Sequence, residues 1–490
     1  MKRLLYQNFL DWKNKENRKP LILNGARQVG KTWLVKEFGK NEYKNLVYIN
    51  CDKNSQVKSL FESGYNIKNI LLGLGAISNQ TIMPHETLIF IDEIQEIPEA
   101  LTSLKYFCEE AAEYHIIAAG SLLGVSLNVG TGFPVGKVDI LHLYPMSFLE
   151  FVLAVKGEQL FSILKEGTFD DISIFHPTFV ELLRQYYFCG GMPEAVLAFV
   201  EGKSVAEIRT IQESILYSYQ KDIAKHPHKN DIPKIHQVWS AIPNQLAKEN
   251  KKFIYGALKK GARAKDFENA VQWLLDAGLI YKVSNIKKAS IPLKFYEDFN
   301  AFKLFMLDTG LMGALAETPP SQMLIGNNIF EEFKGAFTEL FVFTQLQSLK
   351  QSGLSSIFYY NAEDSKQELD FIFQKDEKII PVEVKAEENL RAKSLRQFVL
   401  DHPDTKGIRF SMSPYREQDW MTNVPLYAVH KVLMYGRSPK NACASFGSLC
   451  SPFAIRSSSS ATQVPPAVDF GAPSANAKRS SPKWGGRFFL

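Results

Sequence analysis

The sequence contains no uninterrupted apolar run of about 18 residues, the length that a membrane-spanning helix needs. Near the start of the chain, Lys2 and Arg3 stand between short apolar stretches, and Asp11 and Lys13 follow closely. This pattern predicts an amphipathic helix rather than a signal peptide. We therefore predict no membrane association and a cytoplasmic location.

Cysteine is scarce and unpatterned. The chain has five cysteines, with no pair at CxxC spacing and no histidine pattern beside them. They indicate neither a zinc site nor a disulfide framework, so a reducing compartment is the natural setting. Cys51, Cys108 and Cys189 lie in apolar or helical surroundings, where a small buried side chain is the expected role.

The body of the chain also lacks net charge. The sequence has 57 basic and 52 acidic residues, and the segment from Ser438 onward holds six of the former and one of the latter. Removing that segment leaves 51 residues of each sign, so global charge gives no reason to expect nucleic-acid binding. The same segment is rich in Ser, Pro and Gly, and we predict that residues 437–490 form a disordered low-complexity tail.

Residues 25–32, Gly-Ala-Arg-Gln-Val-Gly-Lys-Thr, satisfy the phosphate-loop pattern G-x-x-x-x-G-K-[ST] between an apolar strand and a helix. Gly25 and Gly30 would let the backbone wrap around the phosphates. Lys31 would reach the β- and γ-phosphates, and the Thr32 hydroxyl would bind magnesium. A plain glycine turn before a helix is the alternative, and the strand–loop–helix setting argues against it. The motif predicts ATP and Mg²⁺ as cofactors.

A second motif follows the apolar run at residues 88–91, whose continuous hydrophobic character is typical of a strand buried on both faces. Asp92, at the end of that strand, would hold the magnesium ion. Glu93 would orient and polarise the attacking water, which a protein that only binds nucleotide does not require. An acidic pair capping a helix is the alternative. Beside a phosphate loop, the pair favours hydrolysis.

Ser121 follows a third apolar strand, at residues 115–119. In P-loop ATPases with an extra strand between the two motifs, a small polar residue at this strand end touches the γ-phosphate and the attacking water. Ser121 is therefore the third predicted catalytic residue, with Lys31 and Glu93. A serine that caps the start of a helix is nearly as good an interpretation.

In this order, the motifs resemble those of the prokaryotic AAA-superfamily ATPases related to archaeal ATPases, whose C-terminal part is a nuclease-like module. The resemblance covers about residues 1–435 and includes the segments 25–32, 88–98, 119–123, 143–151, 190–193 and 307–311. It implies ATP hydrolysis and allows a homo-oligomer, since AAA-type ATPases commonly form rings. Many members carry Gly-Arg where this chain has Gly136-Lys137, so no arginine finger is assigned, and Arg184 and Arg263 are the remaining candidates.

The alternation of strands and helices up to Phe148 predicts a parallel sheet with helices on both faces. We expect an α/β protein with a P-loop NTPase parallel sheet, a helical and winged-helix region, and an α/β nuclease-like module. The predicted divisions are an AAA-type ATPase domain at 1–155, a helical lid or linker at 156–228, a winged-helix-like domain at 229–320 and a PD-(D/E)XK nuclease-like domain at 325–436.

The winged-helix prediction rests on the order helix, helix, hairpin between residues 231 and 283. Basic residues cluster before and inside this region: Lys248, Lys251, Lys252, Lys259, Lys260, Arg263 and Lys265. They could contact the phosphates of DNA. A solvated face on a domain that packs against the ATPase is the simpler interpretation.

The C-terminal module contains Asp370 and then Glu383-x-Lys385 on the next strand, which resembles the PD-(D/E)XK nuclease core. Asp370 and Glu383 would hold a divalent metal, and Lys385 would position or activate the hydrolytic water. Glu339, in the preceding helix, would add a further carboxylate. Charged and apolar residues also alternate in any half-exposed strand, and such modules often persist as binding domains.

Three functions are consistent with these motifs. The first is a regulatory AAA-type ATPase that couples its nucleotide state to the nuclease-like module. The second is an ATP-gated, metal-dependent nuclease. The third is a nucleotide-dependent protein-interaction switch in which the nuclease-like module is inactive. The macromolecular partner would be DNA or another protein.

Overall fold

A computed structural model describes residues 1–121, 124, 132–225, 227–248, 251–325, 331–361, 367–375, 377–386 and 392–434. The predicted disordered tail, 437–490, lies outside these described residues. Residues 1–436 form one unit. Along the chain, a parallel sheet comes first, a helical region follows, and a mixed sheet closes the unit.

The first sheet has five parallel strands: β1 (Leu21–Asn24), β2 (Asn45–Asn50), β3 (Thr87–Asp92), β4 (His115–Gly120) and β5 (Asp139–His142). Their spatial order is β2-β3-β4-β1-β5. Side chains of β3 alternate between two cores, because Leu88 and Phe90 pack on one face of the sheet and Ile89 and Ile91 on the other. A strand buried on both faces needs helices on both sides of its sheet.

Among the described residues, the helices that accompany this sheet include α1 (Tyr6–Lys13), α2 (Lys31–Glu42), α3 (Ser55–Glu62), α4 (Ile67–Ser78) and α5 (Pro98–Glu110). Helix α2 starts inside the phosphate loop, and its Leu34 and Phe38 are fully buried in the core. Helices α3 and α4 start after Asn54 and Asn66, whose side chains accept hydrogen bonds from backbone N–H groups of the first turn. A short 3₁₀ turn, Ile94–Glu96, follows β3.

The helical region comprises α6 (Phe148–Lys156), α7 (Glu158–Glu166), α8 (Phe169–Ile174), α9 (His176–Cys189), α10 (Pro193–Val200) and α11 (Val205–Lys225). Helix α6 begins with a capping box, in which Ser147 and Glu150 each bond the other's backbone N–H. Aromatic side chains of α6 and α9 fill the core here, with the rings of Phe151 and Tyr186 edge to face at 5.3 Å.

The next segment contains α12 (Ile232–Leu246), α13 (Ala264–Asp276), the strands β6 (Ile280–Ile286) and β7 (Glu297–Met306), and then α14 (Thr309–Leu315), α15 (Pro320–Ile325) and α16 (Glu331–Ser348). Strands β6 and β7 pair antiparallel. Short 3₁₀ turns occur at Tyr255–Ala257 and Leu293–Tyr296. The segment thus runs helix, helix, hairpin, and the winged-helix assignment stays a prediction.

The second sheet adds β8 (Ile357–Asn361), β9 (Glu368–Lys375), β10 (Lys378–Val384), β11 (Gly407–Ser411), β12 (Arg416–Glu417) and β13 (Met421–Pro425), with helix α17 (Lys393–Asp401) and 3₁₀ turns at Leu349–Ser352 and Leu426–Met434. Its eight strands run in the order β12-β13-β11-β10-β9-β8-β6-β7. Strand β6 pairs parallel with β8, so the hairpin belongs to the same sheet as the C-terminal module. The predicted division between 229–320 and 325–436 thus runs through a continuous sheet.

The architecture confirms the predicted fold class, an α/β protein that begins with the parallel sheet of a P-loop NTPase. The hydrophobic runs 88–91 and 115–119 predict β3 and β4 because fully buried strands need continuous apolar sequence. Strand β5 has no such run, since its residues alternate between half-buried and exposed. Across the described part of the chain, every helix is too short or too polar to cross a membrane.

Candidate functional site

The phosphate loop connects β1 to α2 and has the backbone conformation that its glycines permit. Gly30 has a φ of 94° and caps the N-terminus of α2, a conformation that side chains with a Cβ rarely adopt. A Cβ on Gly25 would overlap the carbonyl oxygen of Leu143. Both positions therefore favour glycine, as expected of a loop whose backbone wraps closely around phosphate.

The Lys31 side chain lies within the loop. Its Nζ donates hydrogen bonds to the carbonyl oxygens of Gly25 at 2.8 Å and Ala26 at 2.9 Å, and the residue is only 6% exposed. Burial lowers the pKa of Lys31 to about 8, against the opposing charges of Glu93 and Asp92. A poorly solvated ammonium group held among backbone carbonyls is well placed to exchange them for phosphate oxygens.

Thr32 and Asp92 lie together at the C-terminal edge of the sheet. The Thr32 hydroxyl donates to Asp92 Oδ2 at 2.8 Å, and the Tyr48 hydroxyl donates to the same oxygen at 3.2 Å. Burial raises the pKa of Asp92, while the hydrogen bond from Thr32 opposes that rise. A hydroxyl and a carboxylate oxygen at one point are hard oxygen ligands of the kind that Mg²⁺ prefers, so this pair fits the predicted magnesium site.

Glu93 is held beside this pair in a left-handed backbone conformation with a φ of 50°. Its Oε2 accepts hydrogen bonds from Gln95 Nε2 at 2.7 Å and from Ser121 Oγ at 3.1 Å. A left-handed conformation costs backbone free energy for a residue with a Cβ, so the surrounding contacts must hold Glu93 in place. The predicted catalytic residues Glu93 and Ser121 are thus in direct contact, and Gln95 joins them although the sequence analysis did not select it.

Helix α11 lies against the outer side of the phosphate loop. Arg27 Nη1 forms an ion pair with Asp222 Oδ1 at 2.6 Å, and the Tyr219 hydroxyl donates to the Arg27 carbonyl oxygen at 2.9 Å. The Tyr219 ring also packs edge to face with Trp239 of α12, with 6.3 Å between the ring centroids. These contacts join the phosphate loop to the helices of the middle region.

Arg3 connects the N-terminal segment to the phosphate loop. It is buried, and it donates to the carbonyl oxygens of Val29 at 2.8 Å and Tyr144 at 2.7 Å. Its Nε forms an ion pair with Glu150 Oε1 at 3.0 Å. The sequence alone does not identify Arg3 or Arg27 as part of this site, because a single arginine carries no local signal of a contact with a residue that is distant in the chain.

Three of the segments on which the family resemblance rests are hydrogen-bonded to one another. The Met146 N–H donates to the Gly191 carbonyl oxygen at 2.6 Å, and the Gly191 N–H donates to Asp308 Oδ2, also at 2.6 Å. Burial raises the pKa of Asp308 to about 6, although backbone N–H groups of Gly191 and Leu311 stabilise its charged form. The segments 143–151, 190–193 and 307–311 therefore form one buried hydrogen-bonded junction.

A cavity of about 430 Å³ opens beside the first turn of the phosphate loop. Its walls come from all three parts of the chain: residues 24–26 and 142–145 of the first domain, 275–278 at the end of α13, and Gln347 and Lys350 of the C-terminal module. The middle and C-terminal regions thus both reach the edge of the nucleotide site.

The C-terminal residues Glu339, Asp370, Glu383 and Lys385 also come together. Asp370 Oδ2 accepts the Val384 N–H at 2.7 Å, and Lys385 Nζ lies 2.7 Å from Glu383 Oε1. Burial raises the pKa of Asp370, and the charge of Glu339 adds to the rise. Burial would lower the pKa of Lys385, but the surrounding carboxylates, Glu383 first, raise it.

Two lysines that the sequence analysis did not place here neutralise this acidic cluster. Lys251 forms an ion pair with Glu339 Oε1, and Lys303 Nζ lies 3.8 Å from Glu339 Oε2 and 3.1 Å from Glu368 Oε1. Both cations lower the pKa of Glu339 against the effect of burial. Lys251 is thus engaged with a carboxylate, whereas Lys248, Lys259, Lys260, Arg263 and Lys265 of the predicted basic patch are exposed.

The cluster does not fit a divalent metal in this arrangement. Glu383 Oε2 is a buried oxygen that accepts no hydrogen bond from the described residues, as a free metal ligand would be, whereas the Glu339 carboxylate is hydrogen-bonded to Asp370. Lys251 and Lys303, however, already supply the positive charge that a metal ion would bring. Within the part of the chain that the structure describes, no group of three or more His, Cys, Asp or Glu side chains is arranged to hold a metal.

The two arginine-finger candidates are exposed side chains. Arg184 is exposed on α9, and Arg263 is exposed at the start of α13, where its N–H bonds Asp266. Lys137, at the position where the resemblance leads us to expect arginine, forms an ion pair with Glu109 at 2.8 Å. None of these observations assigns an arginine finger.

A parallel sheet whose glycine loop leads into α2, with Asp92 and Glu93 at the end of the neighbouring strand, defines a P-loop NTPase domain. Residues 17–152 match the family described as AAA domain. This part of the chain is therefore similar to AAA domains. Residues 180–322 and 334–429 match two families that are each described as a domain of unknown function, DUF8612 and DUF4143.

Comparison with other proteins adds little beyond this assignment. No curated protein matches the chain. Among solved structures, the Walker-type ATPase of Pyrococcus abyssi is 16% identical over 64% of this chain and 95% of that chain, with a TM-score of 0.41. The Aeropyrum pernix Orc1 protein, solved in complex with DNA, is 11% identical over 65% of this chain and 92% of its own, with a TM-score of 0.26. Both overlaps are too loose to support an inference about this chain.

Proposed function

We propose that this protein is a regulatory ATPase that binds ATP with Mg²⁺ at residues 25–32, hydrolyses it, and couples its nucleotide state to the C-terminal module. The observation that carries the proposal is the position of Glu93. Its carboxylate accepts hydrogen bonds from Ser121 and Gln95 beside the Thr32–Asp92 pair. A nucleotide-binding domain without hydrolysis has no need of a carboxylate held in this way.

Each residue of the site has a distinct role in this proposal. The backbone of Gly25 and Gly30 and the ammonium group of Lys31 bind the phosphates. Thr32 and Asp92 hold Mg²⁺, which when bound neutralises charge on the phosphate oxygens.

Catalysis then depends on two side chains. Glu93 orients the attacking water and accepts its proton. Ser121 fixes the direction of the Glu93 carboxylate and would touch the γ-phosphate. Because Ser121 and Gln95 bond the same oxygen, Glu93 Oε1 is left for the water.

The contacts of the phosphate loop support the coupling. Arg27 bonds Asp222 of α11, and α11 packs through Tyr219 against Trp239 of α12. A second link runs from the Phe148 N–H at the start of α6 to Gln345 Oε1 at 2.8 Å, in the same helix that carries Glu339. A change at the loop can therefore reach the C-terminal module through packed helices.

The proposal is tested by steady-state release of phosphate from ATP and Mg²⁺, with Glu93→Gln as the informative variant. Glu96→Gln is the matched control, since Glu96 is an exposed carboxylate on the same turn. We expect the wild type and Glu96→Gln to turn over ATP, and Glu93→Gln to release phosphate at background rate. Wild-type turnover in a folded Glu93→Gln protein would refute the role of Glu93.

A nucleotide-dependent interaction switch is the second candidate for the downstream role, and the two lysines at the acidic cluster favour it over an ATP-gated nuclease. Lys251 and Lys303 give Glu339 the counter-charge that a catalytic metal would otherwise supply. The partner would be another protein or DNA, the latter through the exposed basic residues between 248 and 265. Salt-sensitive DNA binding that is lost on charge reversal of Lys259 and Lys260 would support DNA. A homo-oligomer stays a prediction of the resemblance.

A further inference from the structure

Gln95 belongs to the short 3₁₀ turn that follows β3, two residues after Glu93. The Glu96 N–H closes this turn by donating to the Glu93 carbonyl oxygen at 3.0 Å. Ile94 and Ile97, on either side of Gln95 in the sequence, are buried in the core. Because the backbone is held at both ends of the turn, the Gln95 side chain has a defined position beside Glu93.

The orientation of the Gln95 amide follows from its partner. An ionised carboxylate only accepts hydrogen bonds, so the Gln95 atom 2.7 Å from Glu93 Oε2 must be the Nε2–H donor, and the other polar atom is the carbonyl oxygen Oε1. Gln95 Oε1 is buried and accepts no hydrogen bond from the described residues. A buried acceptor without a donor is unfavourable, so this oxygen is suited to accept a hydrogen bond from a bound molecule.

The distance between the two side chains suits a shared water molecule. Nε2 and Oε1 are bonded to the same carbon atom, so Gln95 Oε1 lies at most about 5 Å from Glu93 Oε2. A water molecule donates two hydrogen bonds, each about 2.8 Å long, and therefore joins two acceptors that are about 4.5 Å apart. The Gln95 carbonyl and the Glu93 carboxylate are thus within the range that one water can bridge.

We propose that Gln95 is a further catalytic residue of the ATPase, whose Oε1 accepts one hydrogen of the attacking water while Glu93 accepts the other. This inference rests on the proposed function. With both hydrogens held by these side chains, a lone pair of the water oxygen points away from them, as attack on the γ-phosphorus requires.

The atoms of the step balance. A bond forms between the water oxygen and the γ-phosphorus, and the bond from that phosphorus to the bridging oxygen of ADP breaks. One proton of the water passes to the Glu93 carboxylate. The hydrogen held by Gln95 stays on the phosphate product, so Gln95 orients the water without changing its own protonation.

Gln95 and Ser121 have different roles in this arrangement, although both donate to Glu93 Oε2. The Ser121 hydroxyl uses its single hydrogen on that oxygen, whereas Gln95 also presents an acceptor. Loss of Gln95 therefore removes a support of Glu93 and a partner of the water together. Gln95 lies outside residues 25–32, so its loss should lower kcat and leave the KM for ATP nearly unchanged.

Steady-state phosphate release tests the inference with Gln95→Met, which keeps the approximate length of the side chain and removes both polar atoms. Glu96→Gln, an exposed position on the same turn, is the matched control. We expect kcat of Gln95→Met to fall by at least about 30-fold, and its KM to stay within about threefold of the wild type. A folded Gln95→Met protein with a kcat within about threefold of the wild type would overturn the inference and leave the proposed function in place. A wild type that releases phosphate only at background rate would overturn both.

Binding of ADP with aluminium fluoride separates a catalytic role of Gln95 from a structural one. This complex imitates the γ-phosphoryl group with the attacking water in line, whereas a non-hydrolysable ATP analogue does not need that water. We expect Gln95→Met to weaken binding of ADP–aluminium fluoride by at least about tenfold and to bind the ATP analogue within about threefold of the wild type. Equal weakening of both ligands would show that Gln95 only shapes the site, which overturns the inference.

Gln95→Glu covers the case in which Gln95→Met does not fold. It keeps the shape and polarity of the side chain, but an ionised carboxylate cannot donate to Glu93. We expect the same fall in kcat with little change in KM, and a kcat within about threefold of the wild type would overturn the inference here as well.

Discussion

The two charged sites of this chain place lysine and carboxylate side chains at the ends of strands in different ways. At the phosphate loop, Lys31 bonds backbone carbonyls, and Asp92 is left with hydroxyl donors. At the C-terminal cluster, lysines occupy Glu339 and Glu383 directly. The first site keeps its carboxylates and its ammonium group apart for an incoming ligand. The second satisfies its own charges, which argues for a binding or structural role.

The largest expected effect breaks the first site. Lys31→Ala removes the ammonium group from the loop. We expect ATP turnover to fall by about 10³-fold, because removing one preorganised hydrogen-bond donor to the reacting group lowers kcat by up to about that factor. Steady-state phosphate release measures this. Lys40→Ala, an exposed lysine of the same helix, is the control. Activity within about threefold of the wild type in Lys31→Ala would show that residues 25–32 are not the phosphate site.

The next effect concerns the second site and is one of stability. Lys303→Met removes the buried cation beside Glu339 and Glu368 and leaves Glu339 with Lys251 alone, and we expect the free energy of unfolding to fall by about 3 kcal/mol. Denaturant unfolding measures the loss, and adding Glu339→Gln should restore part of it. An unchanged midpoint in Lys303→Met would mean that the buried pair contributes nothing, and the contrast between the sites would fail.

A smaller effect separates the two interpretations of Ser121. Its hydroxyl bonds Glu93, so Ser121→Ala should lower the maximal ATPase rate by about tenfold with little change in the KM for ATP. If the serine only caps local structure, the variant would instead lose thermal stability and keep its turnover number. The KM and kcat of Ser121→Ala, measured beside its melting temperature, decide between the two.

The smallest effect is a pH dependence. Because burial brings the pKa of Lys31 to about 8, the free protein loses the ammonium charge as the pH rises through that value, and phosphate binding weakens. We expect ATP affinity to fall by up to about tenfold per pH unit above the pKa, with no such decline in Lys31→Ala. Fluorescent ATP-analogue titrations from neutral to mildly alkaline pH measure this. A flat profile in the wild type would show that Lys31 does not titrate there.

Most of the candidate phosphate site can be predicted from the sequence, because residues 25–32, 88–93 and 115–121 are local motifs that adjoin apolar strands. Gln95 and Tyr48 join that site without any pattern of their own, because their roles follow from where the chain turns. Less of the C-terminal cluster can be predicted from the sequence. Glu339, Asp370 and Glu383 are predictable as a set. Lys303 reaches them from β7 through the pairing of β6 with β8, and Lys251 reaches them from the segment between α12 and α13; neither approach has a local signature.

The most direct test of the account is to separate ATP binding from ATP hydrolysis in Glu93→Gln. Glu93 accepts hydrogen bonds from Ser121 and Gln95, which both lie outside the phosphate loop. We therefore predict that the variant binds a fluorescent ATP analogue with Mg²⁺ within about threefold of the wild-type affinity, less than 1 kcal/mol, while it releases phosphate at background rate. A Glu93→Gln protein that hydrolyses ATP as fast as the wild type would contradict the account.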